Sequence, residues 1–383
     1  MKSHRPAWLT TWFLLALTGL SVLVAHAQPA TLGNLPVGAI TTNNPHHLPA
    51  GLYTEITTEH GVVVCELFYT KTPLTVASYV GLAEGSLGPQ PRKPFYEGLT
   101  WHRVVPGFVV QGGDPTGTGD GGPGYSFPDE IVPGLHHDSA GVLQMANDGP
   151  DSNGSQYCLM LSPQPHLNYL HTIFGHVVRG LDVLPHIQQG DTMHVKILRL
   201  GTAAQAFQVN DTTFSNLLSK SVHFGGSTAP GTNSPFNDPD KLLPTDWPRA
   251  EAYNFKLANF ERFTGTRIAA RIFAKAPVAA DYMDTWLQSE VARLNADALA
   301  VYIADQDRWQ LRLGKDASVN FKRNQPATGA TVEKFLAATR QESDQAFARA
   351  AAKATREKPL PAGQNVKFKV DAVLDGLLFR LEP

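Results

Sequence analysis

In Trp101-His-Arg-Val-Val-Pro-Gly-Phe-Val-Val-Gln-Gly-Gly-Asp114, short apolar runs alternate with Pro and Gly, and from Phe95 to Gly201 the alternation continues with Asn and Asp clusters added. Many short strands joined by long structured loops, the organisation of an all-β barrel, produce such a pattern. Helix-length periodic stretches are scarce in this span. One is expected at Gly180 to Gln189, and Val195-Lys-Ile-Leu-Arg-Leu200 reads as the last strand. Upstream, Tyr53-Thr-Glu-Ile56 and Gly61-Val-Val-Val-Cys-Glu-Leu-Phe68 are β-rich runs about a Glu59-His60-Gly61 turn, which predicts a hairpin. Thr72-Pro73 starts a helix with Val76, Ala77, Val80 and Leu82 at spacings that fit one face, and Gly85 and Gly88 end it.

Three further segments carry chemistry: Gln144-Met-Ala-Asn147, Asn153-Gly-Ser-Gln156 and His166-Leu-Asn-Tyr-Leu-His-Thr-Ile-Phe-Gly175. With Trp101–Asp114 they resemble the cyclophilin family, in family order and nearly family spacing, from about Tyr53 to Gly201. The resemblance implies a mainly β fold, an eight-stranded closed barrel capped by two helices, and peptidyl-prolyl cis-trans isomerase activity. It makes Arg103 the catalytic arginine. Phe108, Val109 and Gln111 match pocket residues of the same segment, and Ala146 and Asn147 match the stretch whose backbone grips the peptide. Gln156 matches a polar pocket group, Cys158 lies on the floor, and His166, Leu167 and His171 match the far wall.

The chemistry accounts for these residue types. An X–Pro bond has partial double-bond character, with a rotation barrier of about 18–20 kcal/mol, and exchanges over tens to hundreds of seconds unaided. No covalent bond has to break. Catalysis needs a twisted amide to be stabilised, and its pyramidal nitrogen regains a lone pair that a fixed, permanently charged guanidinium can donate to. Apolar walls hold the proline ring and exclude water. No cofactor, metal, nucleophile or general base is called for. His46-His47 and His136-His137 lack a second ligand set at zinc spacing, and His102, beside an aromatic in a strand, reads as a packed core residue.

Departures from the family pattern bear on substrate preference. Val109 stands where a methionine is usual, Cys158 where a second pocket aromatic is usual, and His166 where the best-known members carry a tryptophan that contributes to cyclosporin binding. Tyr169 and Leu170 replace a glycine and a lysine, making this rim more apolar. Cys158 and His166 leave open a reading in another class, a proline-binding chaperone or interaction module with low turnover.

The ends and the composition set the organisation. Lys2, His4 and Arg5 precede the apolar run Trp8 to Val24, which closes on Ala25-His26-Ala27, so residues 1–27 read as a signal peptide and the protein as exported. Residues 28–50 read as a flexible leader, 51–203 as the isomerase domain, and 204–247 as a Gly/Ser/Pro-rich linker. Residues 248–383 form a smaller α+β domain of unread role. There, Tyr282, Trp286, Leu287, Val291 and Leu294 share a helical face, and Ala298 to Ile303 is a buried-strand candidate. Trp309, Leu311 and Leu313 alternate with polar residues, and Thr331 to Lys353 is a long helix. Residues from about Arg267 to Ala354 resemble TPM-type exported domains, with no site carried over. The 34 acidic and 32 basic residues show no bias toward nucleic acid or anionic membrane, and no membrane insertion is expected after signal cleavage. Proline-containing polypeptides are the expected partners. The leader has a bacterial character, which makes the periplasm or cell exterior the expected address. Cys65 and Cys158, the only cysteines, lie in apolar runs and read as buried thiols.

Overall fold

The structure, a computed structural model, describes residues 44–244, 249–324, 331–355 and 359–383. The signal peptide and most of the leader lie outside the described residues. No described helix is long and apolar enough to cross a membrane.

The first unit contains β1 (Gly51–Thr58), β2 (Gly61–Leu67), α1 (Pro73–Glu84), β3 (Arg103–Val105), β4 (Val109–Gly112), β5 (Val142–Met145), β6 (Tyr157–Met160), β7 (Ile173–Arg179) and β8 (His194–Leu200). The predicted hairpin is present, with Tyr53 opposite Glu66 and Thr58 opposite Gly61. All eight strands form one curled sheet in the order β3-β4-β6-β5-β7-β2-β1-β8. Contrary to the expected closed barrel, this sheet is open, because its end strands β3 and β8 form no ladder. β3 is only three residues long. The gap is spanned by the single bridge Thr100–Thr192 and by loop hydrogen bonds such as Trp101 N–H to the Asp191 carbonyl at 2.9 Å.

Strand alternation separates two faces. Val110, Leu143, Leu159 and Tyr157 join the main core with Trp101, Phe174 and α1, whose residues Leu74 to Ala83 are all buried. The expected second capping helix at 180–189 is only a single 3-10 turn, Leu184–His186. Pro185 removes an amide donor there and clashes with a longer helix.

The expected linker also differs. α2 (Thr202–Ala206) crosses its expected start and α3 (Asp211–Leu218) lies within it. Asn210 and Thr213 form a reciprocal capping box at the start of α3, while Val209 and Phe214 enter the barrel core. Capping residues and a loop have similar polar composition, which is why composition alone suggested a linker.

The second unit has β9 (Phe236–Asn237), α4 (Arg249–Thr264), β10 (Ile268–Phe273), α5 (Met283–Leu294), β11 (Ala298–Ile303), β12 (Arg308–Leu313), α6 (Lys315–Arg323), α7 (Val332–Lys353) and α8 (Gln364–Leu381). Its sheet runs β12-β11-β10-β9, with β10 parallel to β11 and β12 antiparallel. Its core gathers Phe236, Phe260, Tyr302, Phe321, Leu374 and Leu377. The helix and strand patterns read between Tyr282 and Lys353 correspond to α5, β11, β12 and α7. The helices α4 and α8 had no clean signature. In α4 the polar residues Asn254, Lys256 and Asn259 are buried, and α8 is apolar on most of its surface.

Candidate active site

Directly opposed residues in a sheet project to the same side. Arg103 on β3 faces Gln111 on β4, Gln111 faces Cys158 on β6, and Cys158 faces Gln144 on β5. A cross-strand row therefore runs over the face that points away from the main core. Beside it lie Val105, Val109 and Met160, paired in the next register positions. Phe108, Val109, Val142, Cys158, Met160, Leu167 and Ile173 form one apolar cluster on this face, with Ala146 and Val105 packed at its edge.

At the polar end of the row, the Arg103 guanidinium donates to Gln111 Oε1 at 2.9 Å and lies 5.7 Å from the centre of the Phe108 ring. Gln111 Nε2 donates to Gln156 Oε1 at 3.0 Å, and Gln156 Nε2 donates to the carbonyls of Gly119 and Gly121 at 2.7 and 2.9 Å. The loop after β4 thus anchors the two glutamines, and they orient the arginine. Burial lowers the Arg103 pKa from its ordinary value, yet a guanidinium stays protonated in proteins.

The far wall is the 3-10 turn Pro165–Leu167 and the residues after it. Leu167 is 3% exposed, and the His166 ring lies 6.2 Å from Phe108 at an interplanar angle of 23°. Asn147 ties the wall to β5, because its amide donates to the Leu170 carbonyl at 2.9 Å. Burial lowers the pKa of His166 to about 3, with Lys367 adding to the effect, and lowers that of His171 to about 3, with His137 adding. Both imidazoles are neutral at ordinary pH. The His166 ring lies beside Phe108, and His171 Nδ1 has no hydrogen-bond partner among the described residues.

Arg103, Phe108, Val109, Gln111, Ala146, Gln156, Cys158, His166 and Leu167 are thereby brought to one region. Asn147 is tied to its wall through Leu170, and His171 follows Leu170 in the chain. Cys158 and Cys65 are both free and buried, and burial raises the Cys158 thiol to about 11, which disfavours the thiolate at neutral pH. Sequence reasoning did not assign Val142, Gln144, Met160 or Ile173 to the site. The period-two alternation of β5 and β6 held that information: Met160 lies two residues after Cys158, and Val142 two before Gln144.

Comparison with known proteins bears on the same region. Residues 53–202 match the family described as "Cyclophilin type peptidyl-prolyl cis-trans isomerase/CLD". Over 128 residues the chain is 49% identical to peptidyl-prolyl cis-trans isomerase A of Mycobacterium tuberculosis, covering 32% of this chain and 70% of that protein. It is 47% identical to isomerase B of Bacillus subtilis over 33% of this chain and 84% of that one. It is 42% identical to isomerase CYP18-2 of Arabidopsis thaliana over 39% and 94%. A crystal structure of a Cryptosporidium parvum cyclophilin-type isomerase, determined in the presence of the dipeptide Ala-Pro, shares 31% identity. It covers 39% of this chain and 99% of that one, with a TM-score of 0.34.

Proposed function

This chain belongs to the cyclophilin-type peptidyl-prolyl cis-trans isomerase family and is an isomerase, and from that premise we propose that it isomerises X–Pro bonds of exported polypeptides at the Arg103 face of the curled sheet. The observation that carries this reading is the guanidinium of Arg103, held by Gln111 at the edge of an apolar cluster formed by Phe108, Val109, Cys158, Met160 and Leu167.

In this reading the proline ring sits on the apolar cluster and the carbonyl side of the peptide rotates. As conjugation is lost, the prolyl nitrogen becomes pyramidal and accepts a hydrogen bond from Arg103. A charge-assisted bond nets about 1.5–3 kcal/mol, and each tenfold in rate takes about 1.4 kcal/mol, so the bond supplies roughly 10–100-fold. The apolar surroundings contribute the rest by excluding water from an amide whose charge separation decreases on twisting. Backbone groups of 146–147 hold the peptide in register. Cys158 removes an aromatic from the floor, but Met160 and Val142 pack beside it, which supports a retained proline seat. Export rests on the reading of residues 1–27. The test is the isomerisation rate of a short X–Pro peptide with the wild type and with Arg103→Ala. Catalysis that collapses in the variant supports the reading. A folded wild type that binds the peptide without turning it over replaces it with a proline-binding module.

A further inference from the structure

The far wall of the site is built into the second domain. Tyr169, three residues after His166, is 4% exposed and belongs to the core of the second unit, where its ring meets Phe260 edge-on at 4.9 Å. Its hydroxyl donates to Glu382, which also pairs with His136 at 2.7 Å. Its carbonyl accepts from Asn259 Nδ2 of α4 at 3.0 Å. One turn earlier in α4, Lys256 is 2% exposed, and its ammonium donates to the His166 carbonyl at 3.2 Å and pairs with Asp375 of α8. From the barrel side, Asn168 accepts from the His137 amide at 2.8 Å and from its ring at 2.9 Å, the Gln164 amide donates to the His137 carbonyl at 2.7 Å, and Asn147 donates to the Leu170 carbonyl at 2.9 Å.

Backbone geometry points the same way. Tyr169 has φ of +64°, a left-handed conformation that bulky L residues rarely adopt. Such a residue keeps this conformation only where its surroundings over-determine it. Here they come from Asn259 and Phe260 of α4 and from Glu382, the residue that follows α8. The conformation of Tyr169 sets the path of the chain through His166 and Leu167, the two residues that meet Phe108 and the apolar cluster.

We infer that the second domain is part of the peptide site, with Tyr169 and Lys256 acting as positioning residues that hold the His166–Leu167 wall against Phe108. This rests on the isomerase reading given above. The wall borders the seat of the proline ring, which does not rotate, so it binds ground and transition states alike. Arg103 acts as the nitrogen becomes pyramidal. Loosening the wall therefore raises KM and leaves kcat.

The test compares wild type, Tyr169→Phe and the double variant Lys256→Met/Asp375→Leu, which removes the tie to His166 without leaving Asp375 as an unpaired buried charge. Steady-state isomerisation of a short X–Pro peptide is measured beside calorimetric binding of the same peptide. KM and the dissociation constant are expected to rise about threefold to tenfold, with kcat within about twofold. If the double variant does not fold, Tyr169→Phe alone decides, since it keeps the ring on Phe260. Unchanged KM and affinity in folded variants overturn the inference and leave the isomerase reading intact. A wild type that binds without turnover overturns the isomerase reading, and the variants' dissociation constants then decide the inference. A wild type that neither binds nor turns over overturns both.

Discussion

Arg103 and Gln111 are opposed across β3 and β4 and joined by a 2.9 Å hydrogen bond from guanidinium to amide oxygen. The glutamine in turn leans on Gln156. The arginine's direction is therefore set by the sheet register and by two amides, an arrangement that lowers the cost of orienting a long side chain at the moment it is needed.

Arg103→Ala should lower kcat by about 10–100-fold, the worth of one charge-assisted bond made in the transition state. Gln111→Met, which keeps the bulk and removes the amide acceptor of the Arg103 guanidinium, should lower kcat by up to about tenfold. Both are read from isomerisation of a short X–Pro peptide with thermal unfolding as a control. A Gln111→Met variant with undiminished kcat would show that the amide chain does not orient Arg103.

The pocket thiol is expected to be inert. Cys65 and Cys158 are both buried, and burial holds the Cys158 thiol at about 11. Alkylation with iodoacetamide at pH 8, followed by mass spectrometry, should leave both thiols unmodified in the native protein and modify both in guanidinium. Rapid native modification of Cys158 would mean that the floor beneath Gln111 opens to solvent.

Stability should fall in mild acid. Burial lowers His137 to about 4 and His166 and His171 to about 3. The unfolded chain, with ordinary values near 6.5, binds more protons at these positions throughout the window below 6.5. Their contribution is therefore full above pH 6.5 and is lost as pH falls toward 3–4, by up to about 1.4 kcal/mol per pH unit for each group. Asp129, raised by burial to about 6, acts oppositely between about pH 4 and 6 because the folded state keeps its proton. Urea midpoints at pH 7 and 5.5 should differ less in His137→Asn than in wild type. Equal differences would show that His137 does not carry its share. Over pH 7–8, kcat/KM should be flat, since these wall imidazoles stay neutral and Arg103 stays charged.

Helix α3 should count toward the stability of the barrel. Phe214 is buried in the first core, 5.3 Å from Tyr125 and 6.4 Å from Phe127. Phe214→Ala should cost about 3–5 kcal/mol, the usual loss for a buried aromatic, measured by urea unfolding monitored through the first unit. A loss near zero would return residues 204–218 to the status of a linker.

Much of the site could be read before any coordinates, because its parts are local. The strand alternation through Val109, Val110 and Gln111 already separates a core-facing residue from two pocket-facing ones. The motif containing Arg103 and Phe108 lies within one hairpin. By contrast, Met160 and Val142 are ordinary apolar residues in short strands. Only the pairing of β4 with β6, and of β6 with β5, brings them beneath the row of Arg103, Gln111 and Cys158.

By itself, the sequence determined the strand-rich character of residues 51–200, the β1–β2 hairpin and the place of α1, since each depends on residues within a few positions of one another, while its resemblance to the cyclophilin family made Arg103 the candidate catalytic arginine. The tertiary structure alone decided that the sheet stays open, that α3 packs into the first core, and that the wall at His166 is held from α4 and α8. Those outcomes depend on surfaces meeting across long separations: Lys256 is 90 residues from His166, and Glu382 is 213 from Tyr169. No local period encodes such contacts. They arise when two amphipathic surfaces bury each other and satisfy the polar groups they cover.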